Sequence, residues 1–186
     1  SIDRKDNAST LRKIISLWSL NNLKYKSLIW ETSIISKRIM SWILNADIIL
    51  KNSNFEFKRN FIESIIIQIN HLKKNLKYEI DQQKKIEVIT VLILSGLVFK
   101  EYEENFQVGL KELEKLIEIF FDSNGFPLTR SPDDLLNYTK YFLLIKEVIK
   151  DAQKYVPDTL ENTLEKSLEC LKQITTPANS LPLFNG

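Results

Sequence analysis

The run Gly125-Phe126-Pro127-Leu128-Thr129-Arg130-Ser131-Pro132 sets a guanidinium directly before a well-marked helix start. Ser131 is a capping residue type, Pro132 suits the first helical position, and Asp133 and Asp134 complement the positive helix end. A planar guanidinium beside the N–H groups of a helix N-terminus makes an anion site. The same residues also make a plain inter-helix loop, and the cap serves either way. A second source of charge is the lysine stretch Lys73, Lys74, Lys77, Lys84 and Lys85, whose ammonium groups can pair with the carboxylates or sulfates of an anionic polymer. Glu79 and Asp81 dilute it, and a solvated helix face accounts for it equally. Trp30, in a loop-like segment after Tyr25, offers a flat face to a sugar ring. Trp18 and Trp42 sit on helical stripes and are expected in the core. His71 could act as a general base or touch a sugar. No acidic residue three or four positions away orients it, so it also reads as a boundary histidine. Cys170, between Leu168 and Leu171, reads as a small buried residue.

Composition narrows the chemistry. The 186 residues carry 26 Lys and Arg against 24 Asp and Glu, a net charge of +2, too weak a basic excess to favour a nucleic-acid partner. A single cysteine excludes an internal disulfide framework and a cysteine zinc cluster. A single histidine excludes a multi-histidine metal site, and no metal or cofactor is expected. The 44% hydrophobic content supports a packed core and excludes disorder as a class. No window reaches the about 18 consecutive apolar residues of a membrane span. The longest apolar stretch, Ile86–Phe99, is broken by Glu87, Thr90 and Ser95. No signal peptide is visible. The chain opens on Ser1 and closes on the apolar Pro182-Leu183-Phe184-Asn185-Gly186, which is expected of a piece cut from a longer protein.

These side chains must be positioned by helices. All five prolines lie from Pro127 onward, and Ile and Leu recur at helical spacing throughout. The pattern predicts helices from about residue 9 to 22, 32 to 50, 56 to 78, 85 to 99, 103 to 121, 131 to 152, and from 158 onward. The first buries Leu11, Ile14, Ile15 and Trp18. The fourth is apolar nearly all round and rich in β-branched residues, so a buried strand competes with a central helix. The last begins with Asp158 as cap and Glu161 three residues on, as in a capping box. Seven helices with short connections make antiparallel hairpins. The fold class expected is all-α, with paired helices in an incomplete α/α toroid, a compact bundle being the alternative. One helical domain over residues 1–186 is expected.

The run from Ser123 to Pro132 resembles the "DGGHxxRSP" segment of bacterial heparinase II/III-like proteins, and Pro182–Gly186 resembles that family's "ALFNG". Ser95-Gly96-Leu97 is similar to its "LAGL", and Lys37-Arg38-Ile39 with Trp42 to its "RRLxxW" helix. The resemblance implies an N-terminal helical toroid followed by a β-sandwich, in a polysaccharide lyase that cleaves uronate-containing glycans by β-elimination. That chemistry needs a donor to neutralise the uronate carboxylate, a base for the C5 proton and an acid for the leaving O4. The family's Asn-His pair falls on Gln83 and Lys84, its motif Tyr on or near Asp134, and its motif His on Phe126 or Pro127. Tyr138, one turn after Asp134, could substitute for the missing Tyr. An essential His of the family comes from the β-sandwich.

The resemblance thus implies catalytic candidates Gln83 and Tyr138. It implies a substrate surface of Gln83, Lys84, Arg130 and Trp30, with an acidic polysaccharide as partner and a C-terminal β-sandwich as companion. A periplasmic or cell-envelope location follows from the resemblance alone. This chain by itself is expected to be inactive. The other reading is a catalytically lapsed helical scaffold that binds a partner protein.

Overall fold

The computed structural model describes residues 2–24 and 28–174, so Tyr25 and the 182–186 motif lie outside the described residues. The described chain is helical: α1 Ile2–Asn22, α2 Thr32–Leu44, α3 Ala46–Leu50, α4 Phe55–Asn75, α5 Gln82–Val98, α6 Glu104–Phe120, α7 Pro132–Asp151 and α8 Asp158–Ile174, with short 3₁₀ turns at 76–78 and 100–102. It divides into two compact units, residues 1–78 and 79–186.

In the first unit the helix starts follow local polar chemistry. Glu31 caps α2 by accepting from Ile34 N at 3.1 Å, and Asn54 caps α4 by accepting from Phe57 N at 2.8 Å. The single helix expected over 32–50 breaks at Asn45, whose side chain and backbone N–H both donate to the Ser41 carbonyl. The chain then restarts as α3. Arg12 on α1 donates to the carbonyls of Ile49 and Lys51, satisfying the end of α3. The turn at Lys51–Asn54 forms as expected, with Asn52 in the left-handed region at φ 58°. The α1 stripe is rotated from expectation: Ile15 is buried, whereas Ile14 is 58% exposed.

Beside the core of this unit stands a half-buried cation, Arg38. Arg38 lies 4.0 Å over the Trp18 ring, donates from Nε to Gln68 Oε1 at 2.7 Å and from Nη2 to the Ile29 carbonyl at 3.2 Å. Burial lowers its pKa to about 10. Gln68, fully buried, passes the network on by donating to the Ser64 carbonyl at 2.9 Å. Trp18 meets Trp42 edge-on at 5.4 Å, and Trp42 meets Phe61 at 5.6 Å; Trp42 is buried as expected, whereas Trp18 is half-buried at the edge of the core.

The second unit is built around α5. The β-branched segment is helix, not strand, and every residue from Ile86 to Gly96 is buried. α6 and α7 pack against α5, and α8 against α7 and α6. Short connections make α5–α6 and α7–α8 antiparallel hairpins. Two glycines let α5 and α6 approach closely: a Cβ on Gly96 would lie 2.2 Å from Phe106 N, and one on Gly109 2.7 Å from Ile93 Cγ1. Asn105 Nδ2 donates to Ser95 Oγ at 3.1 Å beside this crossing. Phe121, Tyr138 and Phe142 form an aromatic core with ring centroids 5.3–6.3 Å apart.

One helix end in this unit departs from expectation, and another closes without glycine. α8 starts on the Pro157 carbonyl, which accepts from Leu160 N and Glu161 N. Asp158 is already helical and accepts from the Tyr155 hydroxyl, so the capping box does not form. α7 ends in a Schellman closure, Lys154 N to Ile149 O at 3.0 Å and Gln153 N to Lys150 O at 2.8 Å, with Gln153 at φ 55° where glycine is usual.

Gly96→Ala is expected to lower stability by about 1–3 kcal/mol, because the obstructing atom is backbone and the helices must part. Gln153→Gly is expected to raise it by about 0.5–1 kcal/mol, by relieving the left-handed conformation. Urea unfolding midpoints check both, and a neutral Gly96→Ala would show that the crossing can open without cost.

Candidate functional site

The site is assembled at the starts of α5 and α7 and in the loop before α7, all in the second unit. Asp81 opens α5, its Oδ1 accepting from Gln83 N at 2.9 Å and Lys84 N at 3.2 Å. Ser131 opens α7, its Oγ accepting from Asp134 N at 3.2 Å, with Pro132 at the first helical position. The cap read from the sequence is therefore present.

The loop is organised by Asp122. Its Oδ1 accepts from Asn124 N at 2.9 Å and Phe126 N at 3.0 Å, and its Oδ2 accepts from Arg130 Nη1 at 2.6 Å. The hydrogen bond from the Phe126 amide, with help from Arg130 and the Asn124 amide, holds the Asp122 carboxyl below its usual range despite an opposing effect of burial. Phe121 and Pro127 form an isolated antiparallel bridge, and Leu128 N donates to the Phe120 carbonyl at 2.9 Å. Gly125 turns the loop at φ 77°, and a Cβ there would strike Lys166. α8 holds the loop from outside: Lys166 Nζ donates to Ser123 O at 2.7 Å, Ser167 Oγ to Gly125 O at 2.7 Å, and Cys170 Sγ to Asn124 O at 3.4 Å. A surface cavity of about 490 Å³ lies along this seam, lined by Asp122, Phe126, Arg130, Lys166, Glu169 and Cys170 among others.

The residues singled out from the sequence meet in part. Gln83 and the start of α7 come together: Gln83 Nε2 donates to Asp134 Oδ1, while Thr129 Oγ1 donates to Asp134 Oδ2 at 2.6 Å. Lys84 follows Gln83 and is half-buried. Arg130 is exposed, at φ 57°, with its guanidinium 5.8 Å from the Phe126 ring centroid and paired to Asp122. The guanidinium before α7 thus already has an internal carboxylate.

Tyr138 lies one turn beyond Asp134 but is 1% exposed, and its hydroxyl has no hydrogen-bond partner. Burial first, and then the charges of Asp134 and Asp81, push its pKa up. In this geometry its hydroxyl does not reach solvent, which goes against the expectation of a proton-transferring role. Trp30 lies in the first unit and is 5% exposed. Its Nε1 donates to Asn22 O at 2.8 Å, and its ring meets His71 edge-on at 5.0 Å. The loop-like sequence around Trp30 concealed a packing role, and its faces are covered by protein, which corrects the expectation of sugar stacking. Burial, then Lys74, lowers the His71 pKa. Asp134, Thr129 and Asp122 were not singled out as site residues. Asp122 could have been found, since Asp-Ser-Asn-Gly is a strong turn signal. Among the described residues no group of three or more His, Cys, Asp or Glu could hold a metal ion, and no helix is long and apolar enough to cross a membrane.

No family model matches the chain, and no curated protein matches it. Among solved structures, the crystal structure of the heparan sulfate lyase HepC from Pedobacter heparinus is similar, with a TM-score of 0.73 and 20% sequence identity. The likeness covers 93% of this chain and 29% of that one, so the chain spans less than a third of the protein it resembles. At this identity the likeness shows the fold: all-α, antiparallel helical hairpins of the incomplete α/α toroid class, as expected from the sequence.

A depressed carboxylate stabilises the folded state above its unfolded pKa, and that stability is lost as pH falls through the lower folded value. Asp122→Asn is therefore expected to be less stable than the parent at pH 7, the gap closing as pH falls from about 4, the ordinary Asp range. Thermal midpoints across pH 7 to 2.5 check this. A gap independent of pH would show that Asp122 contributes through shape alone.

Proposed function

We propose that this chain is the helical domain of a polysaccharide-lyase-like protein and that it holds an acidic, uronate-containing polysaccharide. The surface runs across the first turn of α5 and the segment before α7, with Gln83, Lys84 and Arg130 as its contacts. The observation that carries the reading is the meeting of Gln83 with the 129–134 segment in a fold similar to a heparan sulfate lyase. An amide, an exposed guanidinium and a lysine around two helix starts support it. β-Elimination would need acid–base groups supplied by a further domain, such as a β-sandwich, so the chain alone is expected to form no unsaturated uronate product.

A second reading, a catalytically lapsed scaffold for a partner protein, is favoured by one observation: the Tyr138 hydroxyl is buried and its pKa raised. The two readings separate on glycan binding. Titration calorimetry against a panel of acidic polysaccharides at low ionic strength is expected to show binding that weakens with salt. Lys84→Ala and Arg130→Ala are each expected to weaken it roughly two- to fivefold, the scale of an exposed ion pair. No binding to any member of the panel would leave the scaffold.

A further inference from the structure

We propose that Asp134 is a specificity-determining residue of this surface: it occupies the Gln83 amide, so that the Gln83 position accepts a ligand's hydroxyl and rejects its carboxylate. The inference rests on the reading of a glycan surface above and specifies where on it a uronate can sit.

The amide of Gln83 has donors only on Nε2, and one already points to Asp134 Oδ1. Thr129 commits its only proton to Asp134 Oδ2 at 2.6 Å. What remains around Gln83 is rich in acceptors: lone pairs on both Asp134 oxygens, on Gln83 Oε1 and on Thr129 Oγ1. Asp81, which caps α5 beneath Gln83, adds a second negative charge. The positive ends of α5 and α7 are thus covered by carboxylates of the chain itself. The Tyr138 hydroxyl, one helical turn after Asp134, is buried and unpartnered.

An arriving carboxylate must displace Asp134 from Gln83 or lie against it as a like charge, and either is unfavourable. An arriving sugar hydroxyl finds acceptors and donates to them. The uronate carboxylate then falls on the cationic side of the surface, toward Lys84 or Arg130. The ring next to it in the polymer presents hydroxyls at Gln83.

The test compares two probes on the full chain: a uronate-containing hexasaccharide and its carboxyl-reduced counterpart, in which each carboxylate has become a hydroxymethyl group. The readouts are Kd for each and the side-chain amide resonances of Gln83, assigned by their loss in Gln83→Ala. Asp134→Ala frees the amide. Asp134→Asn removes the charge with little change of shape, and it carries the test if the alanine variant does not fold. The Kd ratio is expected to move toward the uronate probe by about tenfold in Asp134→Ala, and in the same direction in Asp134→Asn, the size expected for one nearby charge. The share of the gain carried by the freed amide should be lost in Asp134→Ala/Gln83→Ala, and the Gln83 resonances should move with the uronate probe only once Asp134 is changed. An unchanged ratio, with both probes bound, overturns the role of Asp134 and leaves the glycan surface standing. Binding of neither probe by the parent or any variant overturns both.

Discussion

A helix buried on all sides can expose chemistry only at its ends, and α5 is such a helix. Its residues from Ile86 to Gly96 are all buried, leaving the first turn as its polar part. Near the other end Gly96 lies against the backbone of Phe106 too closely for any side chain, and the last residues, Leu97 and Val98, are apolar. Polar residues at 81–84 must therefore face whatever stands beside the α5 N-terminus. What stands there is the start of α7, fixed by the Ser131 cap and by a loop closed on Asp122. The location of the site follows from the burial of α5, and the residues of the loop decide only its character.

That character is self-neutralising. Arg130 is paired with Asp122, Gln83 with Asp134, and Lys166 with the Ser123 carbonyl. A small anion gains little from such a surface, since the charge it would meet is already partly neutralised by the chain itself. Exposed pairs of this kind are worth only about 0–1 kcal/mol each, so exchange is easy one pair at a time. A polymer with many groups can make several such exchanges on one chain, where each further contact is intramolecular. The charge pattern therefore suits an extended polyanion better than a single small ligand, in keeping with the proposed partner.

Much of the helical framework was legible in the residues. Periodic Ile and Leu marked the helices, Ser131-Pro132 marked the start of α7, and the all-round apolar run marked the central helix. The break at Asn45 was hidden because Ile49 continues the buried stripe of α2 beyond it, while the side chain that ends the helix bonds back to Ser41. The start of α8 was misplaced because Asp158 has the right type for a cap, yet its carboxylate is engaged by Tyr155. Trp30 was expected at the surface because its neighbours look like a loop. Its burial comes from His71 and Asn22, partners that local pattern does not bring near. The Gln83–Asp134 pair was hidden for the same reason. Each residue alone looks like an ordinary first-turn residue, and only the packing of α7 on α5 joins them.

The placement of Tyr138 bears on what this chain can contribute to a reaction. Proton transfer is efficient when the group's pKa lies near the working pH and the group touches the reacting atoms. Tyr138 meets neither condition: its ring packs among Phe120, Phe121 and Phe142, and burial with two nearby carboxylates pushes its pKa up. Moving it outward would expose an aromatic core, a change far larger than a side-chain rotation. Its neighbour Asp134 is better placed, although each of its oxygens already accepts one hydrogen bond, from Gln83 and from Thr129. In the proposed reading, the α5–α7 junction orients and discriminates a ligand rather than moving its protons. In a protein that performs elimination on such a ligand, the base and acid would be brought to this surface by residues beyond it.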